Sequence, residues 1–577
     1  VLDISSFELS SLESKVNGKI SINFAHGSFK EFQDYASIDV HLDGTLSGQV
    51  FQNFIDLPKD FQSVAVKLFA SGTLNDVKLL NFEVNQEAIQ LKGKLNFKDF
   101  FSSEPITAFV ELESINIVPL KLPSVIPLNF YKQIPKSIFA FKPIEGSGAL
   151  FFKGNQLKTN LKLINGNASI FNQSLFDIGF DQGEFELNRF EGTTEIKELD
   201  LSTLHSNLGR ITSEFLIFGN KEHSDKFNLN FDVKVDEIFL GRKGIQNLNL
   251  EGELQDKTLT FDLTVEDRQI SGKSAWAYSW GEQQRKYQID LSLERFNLNL
   301  FEEELGGGKA IYSGYFNLFL VGNNLDEIQG NLLFKNLQFE NNTQVDSFND
   351  FILETSLTDK TRIIRTINSD IIDINVEGEF QLSKLNTLFK NGIAEAFPIF
   401  PKKKIQNNQE LVYDINIETS HLNAVFPNLV IDKKAFFRGV LSTQDRVSKM
   451  TLNIPKISFK DINTEKIELQ LDNQNPLFNT FLSIGKIKGN TYEINKFHTL
   501  GVKIGDTLNF RTEFFGGKEE NDVYQLNYAF KLDGSNSNIF LKPSTIGLDR
   551  TVWSINPSFD QKHLISFNPS NKRIDLN

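Results

Sequence analysis

Between Lys226 and Val235 the chain reads KFNLNFDVKV, and the alternation has no fault. Phe227, Leu229, Phe231, Val233 and Val235 share one side, with Lys226, Asn228, Asn230, Asp232 and Lys234 on the other. Successive strand residues face opposite sides of a sheet, so this pattern predicts a strand with one apolar face and one wet face. The same period-2 pattern places Ile89, Leu91, Leu95 and Phe97 together in AIQLKGKLNF, and Leu259, Phe261, Leu263 and Val265 in KTLTFDLTV. ELVYDINIE aligns Leu411, Tyr413, Ile415 and Ile417, and YQLNYAFKL aligns Tyr524, Leu526, Tyr528, Phe530 and Leu532. GN, NG, GG and DG pairs punctuate these runs, as an antiparallel meander requires.

A smaller unit recurs inside the pattern: apolar, polar, Gly, any residue, apolar. Its glycines are Gly18, Gly44, Gly93, Gly252, Gly314, Gly330, Gly378 and Gly439. Each falls in phase with its apolar neighbours. Glycine inside a strand costs stability, so eight such placements need a reason. Two compatible readings are strand starts just after turns and relief of crowding where a coiled sheet bends. The spacing of the glycines is irregular, which separates this chain from a fixed-period solenoid.

Two places interrupt the alternation. Residues 119–143 hold Pro119, Pro123, Pro127, Pro135 and Pro143, and no further proline occurs until Pro398. Later, Leu382, Leu385, Leu388 and Phe389 take helical spacing that Pro398 ends, predicting a short amphipathic helix and loop over 381–405. The chain therefore divides into sheet segments at 1–118, 144–380 and 406–577, separated by the proline-rich interruption and the helix. At about 14 residues per strand and turn it makes roughly 40 strands. An open sheet of that size must curl or split, and 144–380 contains no linker at which to split. The expectation is an all-β fold: a long antiparallel meander, with few short helices, curled into an elongated groove, apolar inside and polar outside. At ~4.8 Å per strand it would extend on the order of 190 Å.

Composition narrows the function. The 577 residues include 55 Phe but only one Met, which is not at position 1; we read the chain as an internal segment of a longer protein. No apolar run approaches the ~18 residues of a membrane-spanning helix. With no cysteine, disulfides, thiolate catalysis and Cys-based zinc sites are excluded. A net charge of −14 argues against nucleic acid and against simple adhesion to anionic headgroups.

Candidate chemistry is sparse. His26, His41, His205, His223, His421, His498 and His563 are scattered, without metal-ligand spacing, so neither a metal nor a cofactor is expected. LGGGKAIYS lacks the first glycine of a phosphate loop, and Ala310 stands where Ser or Thr must hold magnesium. It reads as a glycine-rich turn, and Glu302, Glu303 and Glu304 as solvated loop residues. Asn167, Asn172 and Asn341 head triplets that match glycosylation acceptors, a motif that often arises by chance. An enzyme is not expected.

Two stretches carry a family resemblance. FNLNLFEEELGGGKAIYSGYFNLFLVGNNLDEIQGNLLFKNLQFENN (296–342), with Ser313, Gly314, Gly322, Leu325, Asp326 and Gly330, is one; LDNQNPLFNTFLSIGKIKGNTYEINKFHTLGVKIGDTLNFRTEFFGG (471–517) is the other. They resemble the periplasmic part of TamB-like translocation and assembly module proteins, in the AsmA-like superfamily. SGTLNDVKLLNFEV (71–84) matches in texture. The resemblance implies a β-taco similar to bridge-like lipid-transfer proteins. It implies a place in the periplasm of a Gram-negative envelope and a link to phospholipid passage and outer-membrane barrel assembly. An inner-membrane anchor and a contact with a TamA-type barrel protein would lie in parts not recognisable here.

The apolar face is thus expected to carry phospholipid acyl chains between inner and outer membranes. Its lining candidates are the apolar positions of the five strands above, and the eight glycines set its curvature. The competing expectations are a chaperone-like cradle for barrel assembly and an extracellular β-solenoid stalk filled by its own side chains.

Overall fold

The computed structural model describes the chain except for residues 12–13, 25–31, 53–57, 59–60, 62, 127–130, 132–133, 135, 182–183, 222–226, 241–242, 282, 299–309, 343, 398–401, 406–407, 419–428, 432, 460–461, 490–491, 518, 534–535, 549–550, 559–563, 569–572 and 577. It is 71% strand and 7% helical, a long antiparallel meander that does not close. The described residues form 37 strands. They fall into two compact units, Val1–Lys273 and Ser274–Asn577. That division lies inside the stretch 144–380 that the sequence reads as one segment.

In the first unit every strand from Leu2–Ser10 to Thr258–Glu266 pairs antiparallel with its neighbour in sequence. The alternating run at 227–235 opens the strand Phe227–Leu240. The proline-rich interruption forms two short 3-10 helices, Pro119–Ser124 and Lys136–Ala140. The strands on either side of it, Thr107–Ile117 and Ile144–Lys153, pair directly with each other, Ile117 opposite Ile144. Pro119, Pro123 and Pro143 therefore lie at the end of a hairpin and leave the meander unbroken there, because a ring without an N–H is tolerated beyond the last ladder bond, while Pro127 and Pro135 lie outside the described residues.

The second unit continues the meander from Arg285–Asn297 to Arg573–Leu576, with local branching: Gln329–Glu340 pairs with both Val345–Ser347 and Phe351–Thr358. It also contains the helix anticipated at 381–405. A 3-10 turn, Leu382–Lys384, leads into an α-helix, Leu385–Ala396, which stops at Phe397. Pro398 lies outside the described residues.

Most of the eight glycines sit well inside strands rather than at their starts. A Cβ built at Gly439 would lie 2.1 Å from the Lys449 carbonyl oxygen and 2.5 Å from the Tyr413 hydroxyl. Gly330, at φ +142°, would meet the Phe319 carbonyl oxygen at 2.0 Å. Both positions exclude any side chain, and at Gly330 the backbone itself favours glycine.

Candidate functional site

Register decides which side chains meet across the sheet. In the first unit Ser174 faces Thr159 and Gly192, Gly192 faces Ile217, Ile217 faces Phe231, Phe231 faces Gly252, and Gly252 faces Phe261. A parallel row runs Leu161, Asn172, Thr194, Phe215, Val233, Leu250 and Leu263. A third runs Leu157, Phe176, Phe190, Gly219, Leu229, Leu254 and Leu259. Val235 meets Leu248, which meets Val265. The four candidates of 257–265 thus join those of 227–235 on one face; of Phe227 only the backbone is described, and it lies in the same phase.

No residue of these rows carries a charge. Leu229, Phe231, Leu250, Leu259, Phe261 and Leu263 are half-buried rather than sealed. Ile89, Leu91, Leu95 and Phe97 repeat the arrangement, facing Ile117, Ile115, Val110 and Ala108 of the next strand. The opposite face holds the charges, with Lys92 paired to Glu83 at 3.3 Å and Lys94 to Glu113 at 2.9 Å. The Lys94 ammonium holds the Glu113 carboxyl below the usual carboxylate range. Such exposed pairs contribute little stability.

A bonded polar patch lies on the first unit's apolar face, where the buried Ser213, opposite Val235, is polar as well. Asn172 donates to Ser174 Oγ at 3.0 Å and to Thr194 Oγ1 at 2.9 Å, and accepts from Thr159 Oγ1 at 3.0 Å. A matching contact in the second unit joins Thr499 and Thr512 at 2.7 Å. Each patch satisfies itself, so neither exposes bare donors to a hydrocarbon. Asn172 is half-buried and bonded on this face, which withdraws it as a glycosylation acceptor; Asn167 lies in a turn and Asn341 in a loop.

The second unit carries an equivalent row: Ile364, Val376, Tyr413, Gly439, Met450, Leu471, Thr480, Gly501, Phe510 and Tyr528. Here the face is covered. The helix Leu385–Ala396 packs Leu388 into a cluster with Val376, Leu411, Tyr413, Leu441, Met450 and Leu471, and Phe389 lies against Tyr413 and Phe437. Leu411 is 0% and Tyr413 1% exposed. Burying a leucine fully contributes about 1.5–3 kcal/mol, so this section behaves as an ordinary core. Two candidate groove residues, Leu411 and Tyr413, are therefore on the expected face but sealed beneath the helix, whereas Ile415 and Ile417 are half-buried. Further along, Phe397 stacks on Phe510, beside Leu508 and Phe530. Tyr524, Leu526 and Tyr528 are half-buried, Phe530 is buried, and the side chain of Leu532 lies outside the described residues.

The sequence reading missed Arg362. It is the second residue of the strand Thr361–Ile367, in phase with Ile364 on the apolar face, and is completely buried. Its guanidinium donates to the carbonyl oxygens of Ile328 and Asp326, each at 2.6 Å, and to Thr355 Oγ1 at 2.8 Å. Burial pushes its pKa down, and the nearby Asp326 carboxylate opposes that. Asp326 in turn accepts the Ser383 N–H and hydroxyl, both at 2.8 Å, at the turn entering the helix. The phase of TRIIRTI, which sets a cation in line with Ile364, is the signal that could have marked it.

Motif residues of the resemblance take structural roles. Asn473 accepts the Ser448 N–H at 2.9 Å, and Asn479 accepts the Lys503 N–H at 2.7 Å. Residues 301–309, with the glycine-rich turn and Glu302–Glu304, lie outside the described residues, as do His26, His223, His421 and His563. His41 lies edge-on to Phe69 at 4.1 Å, and His205 accepts the Asn207 N–H at 3.2 Å. Among the described residues no three His, Asp or Glu side chains gather as a metal site, and no helix is long and apolar enough to cross a membrane. No protein-family model matches the chain, and no curated protein matches it.

Proposed function

We propose that the chain carries lipid acyl chains along the apolar face of its sheet, as a conduit rather than a catalyst. One observation carries this reading: in the first unit, uncharged rows pass from strand to strand while their large side chains stay half-exposed. A phospholipid's tails hold on the order of 30 methylenes at ~0.8 kcal/mol each, which makes passage through water slow. A face of similar apolarity from strand to strand removes most of that barrier and needs no tight site. The half-exposed rows weigh against a stalk filled by its own side chains, whose interior would be sealed as the helix-covered section is.

The resemblance of residues 296–342 and 471–517 to TamB-like proteins supports the finer form of the proposal. In that form the cargo is phospholipid, the setting is the periplasm between two membranes, and the chain acts with an outer-membrane barrel partner through parts outside this sequence. Transfer of a fluorescent phospholipid between two vesicle populations tests the reading. Transfer rates that rise in proportion to added protein are expected. Rates indistinguishable from vesicles alone would contradict it.

A further inference from the structure

Lys402, Lys403 and Lys404 form a run of three cations in a chain whose net charge is −14. The fold fixes where that run lies. Asn391, on the helix Leu385–Ala396, donates to the Lys403 carbonyl at 2.8 Å and accepts the Lys403 N–H at 2.9 Å. Both backbone groups of one lysine are thereby held by one side chain. Arg446 lies in the turn between the strands Phe436–Ser442 and Val447–Phe459; its carbonyl accepts from Asn473 Nδ2 at 2.6 Å.

Between the helix, the lysine run and this turn lies a cavity of about 450 Å³. Lys402, Lys403, Arg446 and Glu395 line its polar side, Leu388 and Leu441 its apolar side. Glu395 pairs with Lys402 at 2.6 Å. The Lys403 ammonium and the Arg446 guanidinium have no carboxylate partner among the described residues. Leu388 and Leu441 also belong to the buried cluster beneath the helix, so the cationic mouth of the cavity backs onto that core.

We propose that this cavity binds the phosphate-bearing headgroup of an amphiphile. Lys403 and Arg446 are the anion's partners, and the hydrocarbon turns toward Leu388 and Leu441. The proposal rests on the lipid-carrying reading and adds to it a place where the headgroup is held. Arginine offers phosphate a two-pronged fork and lysine a point charge. The volume suits a headgroup with part of a tail, within the usual range of ligand pockets. A cation near a helix C-terminus is ordinary, since it complements the helix dipole. That accounts for the lysines, but not for an arginine brought from a separate hairpin to the same cavity.

Calorimetric titration of the full chain tests the proposal, with dihexanoyl phosphatidic acid below its micelle concentration, dihexanoyl glycerol and inorganic phosphate as probes. The phosphatidic acid should bind most tightly. The double variant Lys403→Gln, Arg446→Gln should weaken it on the order of tenfold or more, because two charge-assisted contacts are lost. Both side chains are exposed, so the variant should melt with the parent. Lys257→Gln with Arg268→Gln, in the other unit, controls for overall charge and should leave binding unchanged. Equal binding by parent and double variant would overturn the site, as would equal weakening in the control or equal affinity for the uncharged glyceride. Inorganic phosphate binding as tightly as phosphatidic acid would make it a free-anion site and overturn the headgroup assignment. Vesicle transfer on the same variants separates the two readings. Transfer by a parent whose phosphatidic acid binding ignores the double variant leaves the conduit standing and removes the site. The calorimetric result without transfer by the parent retains the site and removes the conduit.

Discussion

The ring of Phe231 occupies the space above Gly252, its partner on the next strand: a Cβ at position 252 would lie 2.6 Å from Phe231 Cζ. The same Cβ would lie 2.4 Å from the Thr260 carbonyl oxygen, which is backbone and cannot swing aside. Glycine here lets an aromatic side chain lie down on the apolar face. Gly252→Val should therefore destabilise the first unit by about 1–3 kcal/mol, as overpacking does. Gly281→Ala, with nothing among the described residues within 4 Å of its Cβ, should be neutral. Chemical denaturation of both variants checks this; equal stability would show that the contact does not constrain position 252.

Arg362 joins three acceptors that come from two separate parts of the chain, the loop at Asp326 and Ile328 and the strand at Thr355. Arg362→Ala leaves them unpaired in a buried place, and about 2–4 kcal/mol should be lost. The loss should be local. Hydrogen exchange in the helix Leu385–Ala396 should accelerate, because Asp326 holds the turn entering it through Ser383. Unchanged exchange there would dissociate the arginine from the helix.

The hydroxyls of Tyr312 and Tyr413 are buried without a hydrogen-bond partner among the described residues. Burial pushes the Tyr312 phenol up to about 12, and raises Tyr413 as well. Below the ordinary tyrosine value, near 10, both are protonated in folded and unfolded chains and stability does not depend on them. As pH rises from there toward the raised value, the unfolded chain sheds protons that the folded chain keeps, so stability falls. Tyr312→Phe and Tyr413→Phe should each be neutral or stabilising by up to about 1 kcal/mol at neutral pH, and should reduce the alkaline loss. Melting temperatures across pH 8–12 (an interval around about 10, the free phenol value) provide the check. An alkaline slope unchanged in both variants would refute it.

Alternation made the strands and their faces legible because it is a local property: KFNLNFDVKV could be assigned residue by residue. The helix was equally legible from the spacing of Leu382, Leu385, Leu388 and Phe389. What covers a face is not local. Leu411 and Tyr413 share their alternation with Leu229 and Phe231, yet the first two are sealed and the second two stay half-buried. Only the three-dimensional path of the helix makes that difference. Arg362 was hidden for the same reason, since its acceptors at Asp326 and Ile328 are distant in sequence. The cationic cavity was hidden too, because Lys403 and Arg446 line one cavity only through the packing of the helix on the hairpin.

The most direct measurement of the central claim is native mass spectrometry, alongside thermal unfolding, of the parent, Phe231→Arg and Asn230→Arg proteins. Phe231 is half-buried in the apolar rows, and Asn230 is exposed on the opposite face. On an open face a long arginine can turn its charge toward water, so Phe231→Arg should fold with modest loss. It should nonetheless lose lipid, because the charge lies in the path of the acyl chains. The account predicts phospholipid bound to the parent and to Asn230→Arg, and sharply less bound to a folded Phe231→Arg. A parent that carries no lipid, with a Phe231→Arg protein that melts far below it, would contradict the account, since that is how a charge buried in a filled interior behaves.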